Sequence, residues 1–201
     1  MIEEVCCGSL SAVRSAARRG ARRVELCAAL EVGGVTPSHG VIRQAVATGV
    51  PVQVLIRPRS GDFVYSSAEV DAMCDDIREA LSLGASGVVV GALTPDGDIN
   101  LEACRRMMDA TEGRGQNTFH RAFDECRAPF QALEEIIQLG FRRILTSGQA
   151  PTAVEGIPVL RQLVERAAGR IVILAASGVS PQNRDQIVRE TGVTELHGTR
   201  L

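Results

Sequence analysis

Eight short apolar or β-branched runs alternate with amphipathic stretches along the 201 residues, which predicts a closed (β/α)8 barrel of parallel strands, the TIM-barrel class. Three observations carry this. The strand–helix unit repeats about every 25 residues. Several amphipathic stretches end on Gly directly before the next run, as in "RRGARRVEL", "SLGASGVVV" and "QLGFRRIL", and Gly suits the left-handed residue past a helix end. No composition break or linker interrupts the chain, so residues 1–201 read as one domain. A doubly wound open sheet is the alternative arrangement of the same elements.

In order, "EEVCC" leads to a helix over Leu10–Arg19, "RRVELC" to Gly40–Thr48 and "PVQVLI" to Ser67–Leu83. "SGVVVG" is followed by Leu101–Glu112, "QNTFH" by Pro129–Leu139, "RRILTS" by Ala153–Ala168 and "RIVILAA" by Pro181–Glu190, and "TELHG" comes last. Ser66 with Glu69, and Thr152 with Glu155, fit a capping box. Ser180 before Pro181 fits an N-cap with Pro at the first helical position. Only "TRL" follows the last run, so the eighth helix is expected to be missing. A parallel sheet needs cover on its outer face, so Val193 and Leu196 are expected to be exposed and to favour a homodimer or higher homo-oligomer.

Hydrophobic residues make up 45%, enough for a sizeable core. The net charge of −2 and 3% aromatic content give no footprint for nucleic acid. Every basic residue is Arg, which excludes Schiff-base chemistry on a lysine amine. The acidic start "MIEEVCCGSL" is unlike a signal peptide, and no apolar run approaches a membrane span. A soluble cytoplasmic protein with six reduced cysteines is therefore expected.

In such a barrel the C-terminal strand ends form the active face, and alternate strand residues point inward. Glu25, Arg57, His120 and His197 then converge on one cavity from strands two, three, five and eight. Glu25 and Arg57 read either as a packing ion pair or as ligand contacts, and His120 and His197, with Glu25, as an acid–base set or as satisfied core groups. The long loop "RPRSGDFVYSS" brings Arg57, Arg59 and Asp62 as an anion clamp or lid, or as a rigid surface loop. Arg121 and Asp124 follow His120, either to meet substrate or to pair with each other. Ser147 and Gly148 in "TSGQAPT" sit where a phosphate binds or where a helix is simply capped. Cys6 and Cys27 end neighbouring strands, about 4.8 Å apart. Two soft thiolates there suit Cu(I), while buried free thiols are also ordinary packing. His39 reads as a surface residue.

The stretches "VELCAALEVGGVTPS", "VLIRPRSGDFVYS", "VVVGALTPDGDIN", "TFHRAFDE", "RILTSGQAPTAVEG" and "ELHG" resemble the CutC family, named for copper homeostasis and distinct from the choline lyase of the same name. The resemblance covers essentially the whole chain. It implies a TIM barrel, self-association, and characteristic positions at Cys6, Glu25, Cys27, Arg57, Arg59, Asp62, Gly91, His120, Arg121, Asp124, Thr146, Ser147, Gly148 and His197. It places copper ligation on Cys6 and Cys27. Two departures stand out: the glycine-rich turn after the seventh strand reads "ASGVS", and Gly198 replaces the Cys that usually follows the last His. The resemblance implies Cu(I) binding at the barrel mouth. The cavity residues point instead to a lysine-independent enzyme acting on a small anionic metabolite, or to a non-catalytic scaffold.

Overall fold

The computed structural model describes residues 1–199. It contains β1 (Ile2–Cys7), α1 (Leu10–Arg18), β2 (Arg23–Leu26), α2 (His39–Val46), β3 (Val52–Leu55), α3 (Ser67–Ser82), β4 (Gly87–Val90) and α4 (Leu101–Ala110). β5 (Thr118–Phe119), α5 (Pro129–Gln138), β6 (Arg143–Thr146), α6 (Ile157–Ala167), β7 (Val172–Ala175), α7 (Arg184–Thr191) and β8 (Glu195–Gly198) complete it. The strands form a closed parallel barrel in sequence order, with Glu4 of β1 beside His197 of β8 at the closing seam. Among the described residues no helix follows β8.

The capping box at Ser66 and Glu69 opens α3. The one at Thr152 does not open α6: its hydroxyl accepts from the Glu155 N–H, but the helix begins only at Ile157, after Gly156. Residues 181–183 form a turn, and α7 starts beyond Pro181, at Arg184. Two 3₁₀ turns, Leu30–Val32 and Arg121–Glu125, occupy stretches read from sequence as loop.

The outward side chains form one continuous core with the helices, including Val24, Leu26, Val54, Ile56, Phe119 and Ile144. Val193 and Leu196 belong to it and are 2% and 0% exposed, against the expectation of an open face on β8. Ile187 of α7 is part of the same core, and Arg184 ties α7 across the seam to Glu3 of β1 at 2.7 Å. An apolar β8 face therefore gives no reason for a dimer. The groove at this side lies instead beside β1 and α1, about 460 Å³ in volume, lined by Met1, Glu3, Val5, Ala16 and Arg19 among others.

The barrel interior is largely ionic below its mouth. Arg23 bonds Glu4 through Nε and Glu195 through Nη2, and Arg143 Nε donates to Glu195 at 2.8 Å. Glu4 also holds His197 Nδ1 at 2.9 Å. Two small apolar clusters share the interior: Cys27, Leu55 and Val89 with Cys6 against them, and Leu145, Leu174 and Ala176.

Candidate functional site: an acid–thiol–imidazole cavity at the barrel mouth

Strand alternation carries Cys6, Glu25, Cys27, Arg57, His120 and His197 to the C-terminal end of the barrel, where they line one cavity of about 140 Å³. Leu30, Leu55, Phe63 and Leu145 supply its apolar wall, and Arg121 stands at its rim. Leu30 roofs it from the first 3₁₀ turn and packs on Gly8, where a Cβ would lie 2.6 Å from the leucine methyl.

One wall is a tight donor cluster. Ligand atoms of Cys6, Glu25 and His197 all lie within 4.8 Å of one another, and His197 Nε2 is 3.4 Å from Glu25 Oε2. Burial opposes charge on His197, but Glu25, Cys6 and Glu4 outweigh it and hold the imidazole well above its ordinary pKa. Glu4 is pushed down by His197 and Arg23 despite its burial. Burial raises Glu25, with the charge of Glu4 adding to it. Contact with Cys27, then burial, pushes the Cys6 thiol far up. Cys27 touches Cys6, but its own thiol donates to the Cys7 carbonyl at 3.7 Å, so it stands beside the three-donor cluster. Cys7 faces the outer core, and burial raises its thiol to about 11.

The opposite wall is Arg57, Phe63 and His120. His120 Nδ1 accepts from the Ala122 N–H at 3.2 Å, which puts the neutral ring's proton on Nε2. Burial and the nearby charge of Arg57 depress this imidazole to about 3. The ring fits because Gly91 has no Cβ; one would sit 2.8 Å from Nδ1. His120 is thus a neutral donor rather than a base. Arg57 does not pair with Glu25: its Nη atoms donate to the carbonyls of Val32, Gly34 and Gly61, pinning two loops over the mouth.

The remaining positions are spent on internal contacts. Arg59 is closed onto Asp62, Glu69 and the Val64 carbonyl, so it staples the loop after β3 from outside the cavity that Arg57 and Phe63 of the same loop line. Asp124 accepts from the Thr146 hydroxyl and the N–H groups of Ser147 and Gln149, and it pairs with Arg121 at 2.8 Å. The Gly148 N–H goes to Thr146 Oγ1, and the Ser147 hydroxyl donates to the Ala150 carbonyl. Of the two readings of this turn, phosphate site or internal capping, the contacts fit the second: the Asp124 carboxylate accepts from the Ser147 and Gln149 N–H groups, and Thr146 Oγ1 from that of Gly148. His39 is on the surface, 2.7 Å from Glu79. Glu4, Arg23 and Arg143 were not singled out from sequence, yet each lies two residues before an inward residue on its strand, so the same alternation marks them.

The CutC family model matches residues 1–201. The chain belongs to the CutC family. A CutC protein of Pasteurella multocida is 52% identical over 195 residues, covering 96% of this chain and 80% of the relative. One from Porphyromonas gingivalis is 50% identical over 199 residues, with 98% and 79% covered. The crystal structure of the Streptococcus agalactiae CutC, named for copper homeostasis, superposes with a TM-score of 0.94 at 38% identity, covering 100% of this chain and 99% of that one. A solved aldolase at 14% identity reaches a TM-score of 0.70 over 99% of this chain and 89% of its own, a likeness that shows the barrel fold alone. The resemblance read from sequence and the TIM-type barrel both stand in this CutC family member.

Proposed function

We propose that this CutC family protein takes part in copper homeostasis in the cytoplasm by holding Cu(I) at the barrel mouth. The observation that carries the reading is the convergence of Cys6 Sγ, Glu25 and His197 within 4.8 Å, with the Cys27 thiol against Cys6. Thiolate and imidazole are the donors that suit Cu(I). The sequence reading named the two thiols as ligands; the geometry favours Cys6 with His197, and Cys27 as the flanking thiol. The interior ionic groups around the cluster are three carboxylates, Glu4, Glu25 and Glu195, against Arg23, Arg143 and a charged His197. Ligation by the Cys6 thiolate and by His197 Nε2 releases the protons these groups hold in the metal-free protein, so Cu(I) affinity is expected to rise with pH. All six cysteines are free, which fits a reducing compartment.

Titration of reduced protein with Cu(I) against a competing chelator tests this. Cys6→Ser is expected to weaken binding by about a hundredfold, as loss of a primary ligand does at least as much as the 10–100-fold of an outer-shell change. Cys27→Ser is expected to cost less. Unchanged affinity in Cys6→Ser, or wild-type binding no tighter than that of an unrelated thiol protein, rules the reading out. Tighter binding of Zn²⁺ than of Cu(I) would move the site to a different metal.

A further inference from the structure

The cavity wall opposite the thiols carries a charge the protein leaves unanswered. Arg57 is 7% exposed, and among the described residues no carboxylate lies within ion-pair distance of it. Two other buried arginines, Arg23 and Arg143, each hold Glu195. A buried guanidinium ordinarily has an anionic partner. The carbonyls of Val32, Gly34 and Gly61 take three of the four Nη hydrogens, and Nε–H has no acceptor. The Tyr65 hydroxyl lies near the guanidinium and carries no charge.

Beside Arg57 stands a second buried donor without a partner. His120 is 4% exposed, its Nδ1 accepts from the chain, and its Nε2–H meets nothing. The Phe63 ring holds the two together, 4.9 Å from the Arg57 guanidinium carbon and 4.8 Å from the His120 ring centre. Both residues line the 140 Å³ cavity, whose apolar lining includes Leu55 and Leu145. That volume is well below the roughly 300 Å³ at which pockets for drug-sized ligands begin.

We propose that this wall binds a small aliphatic monocarboxylate, its two oxygens on Arg57 Nε–H and His120 Nε2–H and its short tail against Leu55 and Leu145. The two oxygens of a carboxylate match the open Arg57 Nε–H and His120 Nε2–H, and the single guanidinium charge suits a monoanion rather than a phosphate dianion. The proposal goes beyond metal binding and does not depend on it. The Arg57 guanidinium also holds the Val32 and Gly34 carbonyls. A bound carboxylate would therefore stiffen the turn that roofs the cavity.

The test uses metal-free reduced protein in the presence of a chelator, so that its outcome is separate from that of the copper titration. Acetate, propanoate and lactate are titrated by calorimetry and thermal shift, with acetamide, propanamide, phosphate, sulfate and chloride as comparisons. Saturable binding of the carboxylates, with no response to the amides, is expected. Asn in His120→Asn keeps an oxygen acceptor for the Ala122 N–H and lacks the far donor, so affinity should fall about tenfold, the effect of losing one charge-assisted hydrogen bond. Leu145→Phe fills the cavity, should abolish binding, and decides the matter if His120→Asn does not fold. Amides binding as well as carboxylates, phosphate or sulfate binding in their place, or a carboxylate affinity unmoved by both variants would overturn the proposal.

Discussion

Arg23→Met tests whether the ionic interior holds the barrel together. Arg23 contacts Glu4 and Glu195, carboxylates with 2% and 9% side-chain exposure. Removing one partner of a buried ion pair costs about 3–5 kcal/mol, because the remaining charge is left without compensation. Here neither carboxylate is fully orphaned, since Glu4 keeps His197 and Glu195 keeps Arg143. The lower end, about 3 kcal/mol, is therefore expected. With a urea m-value of roughly 3 kcal/mol/M for a chain of this size, the unfolding midpoint should fall by about 1 M at pH 7. The pH dependence gives a second reading. In the wild type the Glu4 carboxyl is held low, so its contribution is present above the unfolded carboxylate pKa and is lost as pH falls through the folded value. Without Arg23 the Glu4 carboxyl takes up a proton more readily in the folded state, so the deficit should be largest at neutral pH and shrink as pH falls. A midpoint shift under about 0.3 M at pH 7, or a deficit that grows with acid, would refute the reasoning.

Gly156→Ala should destabilise by about 3 kcal/mol or more, at the top of the range for overpacking, because the new Cβ would sit 1.7 Å from the Ser147 carbonyl oxygen; a melting temperature lowered by less than about 3 °C would contradict it. The His120 ring should stay neutral in nitrogen-detected NMR down to about pH 3. Its folded pKa lies below the unfolded value, so protonation favours the unfolded chain and stability should fall as pH drops below about 6.5 toward that value. His120→Asn should flatten that slope, and a ring titrating near 6 would show that it is not buried as described.

The barrel was legible because its signals are local and periodic. Apolar runs, helix-end glycines and the Ser66–Glu69 cap each read from a few neighbouring residues, and alternation brought Glu25, Arg57, His120 and His197 to one cavity. What sequence hid was the partner of each polar group. Arg57 and Glu25 share the cavity, but Arg57 turns to loop carbonyls 23, 25 and 4 residues away in sequence. Asp124 looked like a mouth residue because nothing in "HRAFDE" shows that the next strand's turn folds back onto it. Leu30 was absent from the reading for the same reason: its place over the cavity depends on a 3₁₀ turn with Ala29 in the left-handed region. Val193 and Leu196 came out buried because α7 leans across the seam, a matter of helix packing that no local pattern encodes.

The ionic network also bears on how the molecule assembles. Its members come from both ends of the chain: Glu4 meets His197 across 193 positions, and Arg23 meets Glu195 across 172. These bonds form only when the first and last strands meet, which is the loop closure with the greatest entropic cost in the barrel. Until then the carboxylates and guanidiniums retain their water, so a half-built barrel has an interior that stays wet and resists collapse. Seam closure and drying of the interior thus become one late event. The fold is slow to reach by topology, but partial barrels, with a hydrated rather than a greasy lumen, offer little for other chains to aggregate upon.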